Sequence, residues 1–373
     1  MPEKCFKGKI FRHAAILGTG LMGASMGMAL RERALVDKVS GYDRDPSASR
    51  TAVERGALDK QYSDPGTAVK DADLVVLAVP VRCCMDIVRE VSPFLKEGAI
   101  ITDLGSTKSC LLNECCALFP ETVTYIGGHP MTGSEESGAG ASDPAIWENA
   151  IYVLTPTEDV SREKTDKLKS LVESIGAQPL IMNPEEHDNL VALVSHLPHI
   201  VAVALVNTAA RSEKDELIRT LAAGGFRDTT RIAMGNPEMW NDICATNQKA
   251  INQYIDQYID ELKVIRELIN SGKESRLLSN LNSAKEYRKT IPYRSRGILP
   301  ELFDLIVLVK DTPGIIGKIA GTLGEAKINI AEIEILHVRE EEGGSIRIGF
   351  RSAEQRDKAL ETMKAYKYTA HRR

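Results

Sequence analysis

A glycine-rich segment near the start of the chain, AAILGTGLMGASMGMAL at residues 14–30, constrains the fold more than any other stretch. Gly18, Gly20 and Gly23 have the spacing G-x-G-x-x-G, follow an apolar strand pattern and open an apolar helix pattern. In a dinucleotide-binding turn the first glycine permits the tight bend, the second lets the backbone approach a pyrophosphate, and the third lets the helix pack on the sheet. The helix N-terminus then faces the phosphates with free N–H groups. The segment therefore predicts a nucleotide site, and a glycine turn without a ligand is the alternative.

The segment VSGYDRDP forms the end of the next predicted strand and places Asp43 near the expected distance from the first glycine. A carboxylate there accepts hydrogen bonds from the ribose hydroxyls and repels a 2′-phosphate, which favours NAD over NADP. Arg44 keeps NADP as an alternative, because an arginine pairs with the extra phosphate. Further on, VVLAVPV predicts a strand that ends at Val79 and Pro80, beside the nicotinamide half of the cofactor. The predicted cofactor contacts are Gly18, Gly20, Leu21, Met22, Gly23, Asp43, Arg44, Val79 and Pro80.

Three regions of the chain differ in their hydrophobic pattern. Residues 10 to about 180 alternate short apolar runs with helical patterns, which predicts an α/β, Rossmann-type domain with a doubly wound parallel sheet. Residues 185 to about 290 show long helical patterns and no convincing strand. From residue 302 a βαββα pattern, followed by a weak final strand pattern at YKYTAHRR, predicts a small α+β (βαββαβ) module. We expect an NAD-binding domain at 1–182, an all-α helical substrate and dimerisation domain at 183–295, and the small module at 302–373.

One long helix pattern in the middle region carries an apolar stripe at helical spacing. The stripe consists of Ile251, Tyr254, Ile255, Tyr258, Ile259, Leu262, Ile265 and Leu268. Because it exceeds what one short helical pair would bury, we expect a homodimer, with burial inside one chain as the alternative.

Charge and composition exclude some partners. The net charge of −5 with mixed signs gives no basic face for nucleic acid or an anionic membrane. We expect no membrane span, which needs roughly 18 apolar residues, and the first residues lack a signal-peptide pattern. A cytoplasmic protein is therefore expected. The seven cysteines form no C-x-x-C pair, so no metal site is expected.

The segment GGHPMTGSEESG, residues 127–138, places His129 at the end of another strand pattern. Ligands in open α/β sheets lie at the carboxyl ends of the strands, and imidazole titrates near neutral pH. His129 is therefore a candidate base that takes a hydroxyl proton as hydride leaves carbon, and a histidine in a turn is the alternative. Ser106 in ITDLGSTKS follows the neighbouring strand and is either a polar substrate contact or a helix N-cap.

The helical region adds candidate substrate contacts. His196 and His199 in VSHLPHI are three residues apart and share a helix face if Pro198 leaves the turn intact. They are either satisfied core histidines or contacts to an anionic substrate. The segment GGFRDTTRIAMGNPEMW carries Arg227 and Arg231. An arginine beside a cofactor cleft favours carboxylate binding, although each alone is also typical of a surface charge.

Taken in order, GTGLMGASMGMAL, LAVPV, TDLGSTK, GGHPMTGSEESG, VSHLPHIVAVAL, GGFRDTTRIA and MWNDI resemble the prephenate dehydrogenase family of tyrosine biosynthesis, across roughly residues 11–290. The resemblance implies NAD-dependent oxidative decarboxylation of prephenate to 4-hydroxyphenylpyruvate, with His129 taking the ring hydroxyl proton and Ser106 assisting. It also implies that Arg231 binds a substrate carboxylate. The substrate-binding residues implied are Arg231, His199, His196, Ser134, Glu135 and Asp228, of which Glu135 and Asp228 organise the entrance and Ser134 stands where the family often has threonine.

The segment LVKDTPGIIGKIAGTLGEAKINIAEIEILHV resembles an ACT domain, a small ligand-sensing module, across about residues 302–370. Its turn at Gly314 lets the backbone approach a bound amino acid, and Asn329 matches a polar position near the pocket. The resemblance implies L-tyrosine as a feedback effector, with a module used only for dimerisation as the alternative. The implied effector contacts are Asp311, Pro313, Gly314, Ile315 and Asn329.

Three other functions remain as alternatives. Arogenate dehydrogenase, or cyclohexadienyl dehydrogenase, differs only in the substrate side chain, and His199 favours the keto acid because an ammonium group prefers an acidic partner. A non-catalytic NAD and amino-acid sensor predicts loss of the base or the arginine, yet His129 and Arg231 are both present. A β-hydroxyacid dehydrogenase usually carries a catalytic lysine in its helical domain, and no clear counterpart is visible.

Overall fold

The computed structural model describes residues 8–133, 136–291, 302–310, 312–336 and 344–372. The chain divides into two compact units, Met1–Lys289 and Thr290–Arg373.

The first unit is built on a parallel sheet of six strands, flanked by short helices. The strands are β1 (His13–Leu17), β2 (Lys38–Tyr42), β3 (Lys60–Gln61), β4 (Leu74–Leu77), β5 (Ile100–Asp103) and β6 (Thr124–Tyr125). The helices are α1 (Leu21–Glu32), α2 (Pro46–Glu54), α3 (Pro65–Val69), α4 (Cys84–Val91) and α5 (Ser109–Cys115). The strand order is β3-β2-β1-β4-β5-β6, all parallel. The doubly wound Rossmann-type fold is thus confirmed, although β4 ends at Leu77 and not at Val79 and Pro80.

Both faces of this sheet are buried, as expected for parallel strands. Along β1, Ala14 and Ile16 belong to one apolar cluster, while Ala15 and Leu17 belong to a second cluster on the opposite face. Successive side chains of a strand point to opposite faces, so the continuous apolar run AAIL is what a doubly covered strand requires.

After β6 the chain enters a second, three-stranded sheet. Its strands are β7 (Gly127–Pro130), β8 (Ile151–Thr155) and β9 (Gln178–Ile181), and helix α6 (Arg162–Ser174) joins the last two. His129 therefore lies in a strand of the second sheet and not in the parallel one, which corrects the expected location. It still lies beside the carboxyl end of β5, because the Gly128 N–H donates to the Asp103 carboxylate at 3.1 Å. A Cβ at Gly128 would lie 2.5 Å from the Asp103 carbonyl oxygen, so only glycine permits this approach.

The rest of the first unit is helical. Its helices are α7 (Pro184–Val191), a π-helical turn (Ala192–His196), α8 (Leu197–Ala210), α9 (Asp215–Leu221), α10 (Gly224–Thr230), α11 (Pro237–Thr246), α12 (Gln248–Asn270) and α13 (Glu274–Thr290), with a 3-10 turn at Arg231–Met234. Pro198 directly follows the π-helical turn inside the continuous helix Pro184–Ala210, and a proline at such a position lacks the N–H for one intrahelical bond. The expected all-α region is confirmed.

One helix among the described residues, Pro184–Ala210, is long and apolar enough to span a membrane by length and composition, since an 18-residue window within it has a mean hydropathy of 1.9. One such helix is weak evidence, and this one carries buried polar side chains at His187, Asp188 and His196, which a lipid-facing helix avoids.

The apolar stripe of α12 is only partly covered within one chain. Ile251 is buried, whereas Tyr258, Ile259 and Leu262 remain exposed by 36%, 42% and 48%. Large contiguous apolar surface on a monomer marks an interaction surface. Burial inside one chain therefore does not account for this stripe.

The second unit has the predicted βαββαβ order. Its elements are β10 (Phe303–Val309), α14 (Ile315–Glu325), β11 (Glu332–Leu336), β12 (Gly344–Phe350), α15 (Ala353–Ala365) and β13 (Thr369–Arg372). The antiparallel sheet has the order β11-β12-β10-β13. The weak final strand pattern of the sequence does form a strand at the sheet edge, and Leu305, Ile348 and Phe350 are buried in the core.

Candidate active site

The three glycines of the first turn meet different physical demands. Gly18 has φ +93°, and a Cβ there would lie 2.5 Å from the Ala78 carbonyl oxygen. A Cβ at Gly23 would lie 1.9 Å from the Gly18 carbonyl oxygen. A Cβ at Gly20, by contrast, would meet no atom within 4 Å. The fold itself therefore requires glycine at the first and third positions, whereas at the second the absence of a side chain leaves the backbone open to a ligand.

Helix α1 begins beyond this turn without a side-chain cap. Its N-cap is Gly20, Leu21 is buried and Met22 is partly buried. The first N–H groups of a helix have no intrahelical partner, and here no side chain satisfies them. This open cradle fits the pyrophosphate of a dinucleotide.

The carboxylate of Asp43 is fixed at the end of β2 next to the glycine turn. It accepts hydrogen bonds from the backbone N–H of Thr19 at 2.7 Å and of Asp45 at 2.9 Å. Arg44 is exposed. Val79 packs against the same turn, since its Cγ1 would lie 2.9 Å from a Cβ at Gly18, and Pro80 is exposed. The predicted cofactor residues thus surround one turn at the carboxyl ends of β1, β2 and β4.

His129 is buried and begins a chain of hydrogen bonds through helix α7. Its Nδ1 lies 2.7 Å from Nε2 of His187, and Nδ1 of His187 lies 2.9 Å from Oδ1 of Asp188. Asp188 also accepts from the backbone N–H groups of Lys108 and Ser109, at 2.8 Å each. The carboxylate thus satisfies two N–H groups at the start of α5 and one imidazole at once.

Burial and hydrogen bonding set the charge states of His129 and Asp188. Burial, then the neighbouring His187 and the Lys108 ammonium, lower the pKa of His129 well below its usual value. His129 is therefore neutral at pH 7, as a base must be. Burial opposes ionisation of Asp188, but hydrogen bonds from His187 and from the backbone of Ser109 and Lys108 hold its pKa below the usual value.

A buried ion pair supports the strand that carries His129. The Lys108 ammonium contacts the Asp103 carboxylate and donates to the Gly128 carbonyl oxygen at 2.6 Å. The Tyr125 hydroxyl donates to the same carboxylate at 2.8 Å. Breaking such a buried pair leaves an uncompensated charge, at a cost of about 3–5 kcal/mol. The lysine therefore ties the end of β5 to β7 immediately before His129.

His196 and His199 face the same tryptophan. The ring of His199 stacks on Trp240 with centroids 3.5 Å apart, and His196 meets Trp240 edge-on at 6.0 Å. Burial lowers the pKa of His196 to about 4 and lowers that of His199, against a hydrogen bond to the Ile232 backbone. Nδ1 of His199 is buried without a hydrogen-bond partner among the described residues. His196 and His199 therefore share a helix face, as their spacing of three residues predicted.

The remaining predicted substrate residues are less closely assembled. Arg231 and Asp228 are exposed, on the 3-10 turn and on α10. Ser106 is half-buried; helix α5 begins only at Ser109, so Ser106 is not its N-cap. Ser134 and Glu135 lie outside the described residues. Within the described part of the chain, no three His, Cys, Asp or Glu side chains form a metal-binding group.

Three of the predicted effector residues, Pro313, Gly314 and Ile315, lie at the start of α14, and Asn329 follows the end of that helix. Gly314 is its N-cap with φ +84°, in the left-handed region that favours glycine, and a Cβ there would meet no atom within 4 Å. Pro313 and Asn329 are exposed, and Ile315 is the first helical residue. Asp311 lies outside the described residues.

Three buried polar residues of the site, His187, Asp188 and Lys108, were not predicted from the sequence. The polar run EEHDN before an apolar helix indicates only a helix start, and Lys108 lies within a strand-end motif. Buried polar residues at these positions become visible only once α7 packs against β7 and α5.

A dinucleotide cradle at the carboxyl ends of β1, β2 and β4 and a buried neutral histidine next to the carboxyl end of β5 are typical of an NAD-dependent oxidoreductase. Family models match this chain in three parts: "Prephenate dehydrogenase, nucleotide-binding domain" at residues 26–181, "Prephenate dehydrogenase, dimerization domain" at 183–283 and "ACT domain" at 303–366. The chain belongs to the prephenate dehydrogenase family.

Individual relatives agree with this assignment. A prephenate dehydrogenase of Bacillus subtilis is 35% identical over 94% of this chain and 95% of its own length. A crystal structure of Aquifex aeolicus prephenate dehydrogenase with hydroxyphenyl propionate and NAD+ is 33% identical, with a TM-score of 0.71 over 75% of this chain and 98% of that one. The crystal structure of Synechocystis arogenate dehydrogenase is 31% identical, with a TM-score of 0.67 over 74% and 99%.

Proposed function

We propose that this enzyme oxidises prephenate to 4-hydroxyphenylpyruvate and CO2 while NAD is reduced to NADH. The observation that carries the proposal is His129, a buried neutral imidazole held by His187 next to the carboxyl end of β5. The relatives support the substrate class, since those named above act on prephenate or arogenate or bind hydroxyphenyl propionate with NAD+.

The reaction needs orientation and one base. NAD supplies the hydride acceptor when bound. His129 takes the proton of the ring hydroxyl as hydride leaves the same carbon, and the ring carboxylate leaves as CO2 while the ring becomes aromatic. Ser106 assists by positioning the hydroxyl. A positioned base contributes about 10²–10⁴-fold, and aromatisation supplies the driving force, so no strong acid is required.

The second requirement is recognition of a dianion. Arg231 binds a carboxylate, because a guanidinium pairs with it in a bidentate manner, and His199 and His196 contact the pyruvyl side chain. Asp228, Ser134 and Glu135 organise the entrance. A histidine, His199, in place of an acidic residue favours the keto acid prephenate over arogenate, whose ammonium group would prefer a carboxylate. Arogenate remains the second candidate because a structural relative acts on it.

The test is NADH formation from prephenate and from arogenate, each with NAD and with NADP. We expect turnover with prephenate and NAD. His129→Asn keeps a polar group but removes the base, so kcat should fall by about 10²–10⁴-fold with KM largely unchanged. Absence of NADH from both substrates would refute the proposed function, and near-normal turnover by the variant would refute the role of His129.

For regulation, we propose that L-tyrosine binds the ACT module near Asp311, Pro313, Gly314, Ile315 and Asn329 and inhibits the enzyme. The open N-cap at Gly314 supports this proposal. Truncation before residue 300 should abolish inhibition by tyrosine and leave activity, since the first unit forms its own compact core. Equal sensitivity of the truncated enzyme would mean that tyrosine acts at the active site.

We also propose a cytoplasmic homodimer assembled through the helical region. The exposed apolar stripe of α12 and the match to a family dimerisation domain support it.

A further inference from the structure

The hydrogen-bond chain behind His129 has only one consistent arrangement of protons when its rings are neutral. Asp188 is ionised and accepts two backbone N–H groups, so it can only accept from His187. His187 therefore carries its proton on Nδ1 and has its lone pair on Nε2. Nδ1 of His129, 2.7 Å away, must then be the donor. This leaves the lone pair of His129 on Nε2, the ring nitrogen that is not engaged by His187.

We propose that His187 and Asp188 are positioning residues that fix the tautomer of His129 and share the proton it receives. The proposal rests on the proposed function for the identity of the reaction, but the tautomer itself does not depend on any substrate. When Nε2 of His129 takes the hydroxyl proton, its Nδ1 proton passes to Nε2 of His187. One proton enters the chain, and the positive charge then lies on the ring beside the Asp188 carboxylate.

The surroundings explain why such a relay is needed. His129 is buried and faces the Lys108 ammonium, and His196 lies nearby, so a positive charge on His129 is disfavoured from several sides. The Lys108 charge is partly offset by Asp103. His187 is also buried but contacts Asp188 directly. Transfer of the positive charge from His129 to His187 therefore places it beside the Asp188 carboxylate.

The backbone contacts of Asp188 make this arrangement rigid. Two N–H groups at the start of α5 hold the carboxylate, and Asn247 donates to the Asp188 carbonyl oxygen at 2.8 Å. The relay is thus anchored to the strand-end segment that carries Ser106 and to the helical region at the same time.

Substitutions of His187 separate tautomer control from proton sharing. His187→Gln keeps an acceptor for the Nδ1 proton of His129 but cannot take up a proton, and His187→Leu removes both. We expect kcat to fall about 10-fold in the first and about 100-fold or more in the second, within the range known for base catalysis, with KM and NAD affinity unchanged. His13→Gln is the matched control, because His13 is a buried histidine at the amino end of β1, hydrogen-bonded to Ser40 of β2, and it should keep kcat.

The pH profile gives a readout that a structural role would not move. Asp188→Asn removes the charge that stabilises the protonated pair, so the acid limb of kcat/KM should shift to lower pH. Equal losses of kcat in the Gln and Leu variants, or an unmoved acid limb, would overturn proton sharing.

Imidazole ¹⁵N NMR of the ligand-free enzyme at pH 8 decides the tautomer without any turnover, with His129→Asn for assignment. We expect His129 to be protonated at Nδ1. Protonation at Nε2 would overturn the proposal even if the enzyme oxidises prephenate. Conversely, absence of turnover with both substrates would refute the proposed function and leave the tautomer result standing.

Discussion

The second glycine of the dinucleotide turn offers the sharpest test of how the cofactor is held. Gly20 has φ −67° and ψ −163°, a conformation that alanine adopts, and a Cβ there meets no protein atom within 4 Å. Gly20→Ala should therefore fold normally, with a stability change within about 1 kcal/mol. Any effect on NAD must then come from the methyl group entering the space where the pyrophosphate approaches.

The size of that effect follows from the hydrogen bond that the methyl group would displace. A hydrogen bond to a charged group contributes about 1.5–3 kcal/mol, and about 1.4 kcal/mol is a tenfold change in Kd. Losing one backbone N–H bond to the pyrophosphate should raise the Kd of NAD roughly 10- to 100-fold. NAD titration by fluorescence or calorimetry measures this, with thermal unfolding of the ligand-free protein beside it.

Gly23→Ala is the matched comparison because its Cβ would lie 1.9 Å from the Gly18 carbonyl oxygen. Overpacking of this kind costs about 1–3 kcal/mol or more, and each kcal/mol lowers the Tm of a domain of 150–250 residues by roughly 2–4 °C. We expect Gly23→Ala to lower the Tm and Gly20→Ala to leave it unchanged. If Gly20→Ala binds NAD within twofold of the native enzyme, the pyrophosphate does not pass over Gly20 and the reasoning is wrong.

Three further predictions follow from individual side chains. Asp43→Ser should raise the ratio of kcat/KM with NADP to kcat/KM with NAD by about tenfold. The substitution removes a charged acceptor for the ribose hydroxyls and its repulsion of a 2′-phosphate. An unchanged ratio would contradict the ribose contact. The pKa of His196 is lowered to about 4 in the folded protein. As the pH falls from 6.5 to 4, the unfolded chain therefore binds a proton that the folded chain does not bind. The free energy of unfolding should decrease across that pH range. Urea midpoints measured at several pH values test this, and His196→Gln should give a shallower slope. Leu262→Asp should halve the mass seen by sedimentation, whereas Glu261→Lys on the same helix should not; a dimer that survives Leu262→Asp places the interface elsewhere.

The sequence predicted the cofactor turn well because its signal is local. Gly18, Gly20 and Gly23 lie within one strand–turn–helix unit, in which Gly18 has a positive φ and a Cβ at Gly23 would meet the Gly18 carbonyl oxygen. The doubly wound parallel sheet followed from the alternation of short apolar runs and helices, since parallel strands need crossover connections. The end of β4 was misplaced by two residues because an apolar strand pattern continues through Val79 although the hydrogen-bonded ladder stops at Leu77.

The chain of groups behind His129 could not be predicted in the same way. His187 is 58 residues from His129, and Lys108 is 80 residues from Asp188. Their spacing has no helical or strand period, and a run such as EEHDN has the composition of a solvated helix start. The location of His129 was also misjudged, because the apolar run continues from β6 into β7 although the two strands belong to different sheets.

By itself, the sequence determined the Rossmann-type sheet, the helical region, the βαββαβ module, the NAD-binding turn and the identity of His129 as the candidate base. These follow from short-range spacing, because residues that are close in the sequence belong to the same strand, turn or helix. Only the tertiary structure decided which groups surround that base: burial turns His129 into a neutral imidazole, and the packing of α7 against β7 and α5 brings His187 and Asp188 behind it. The physical reason is that desolvation and hydrogen bonding across distant segments depend on packing, which no local pattern encodes.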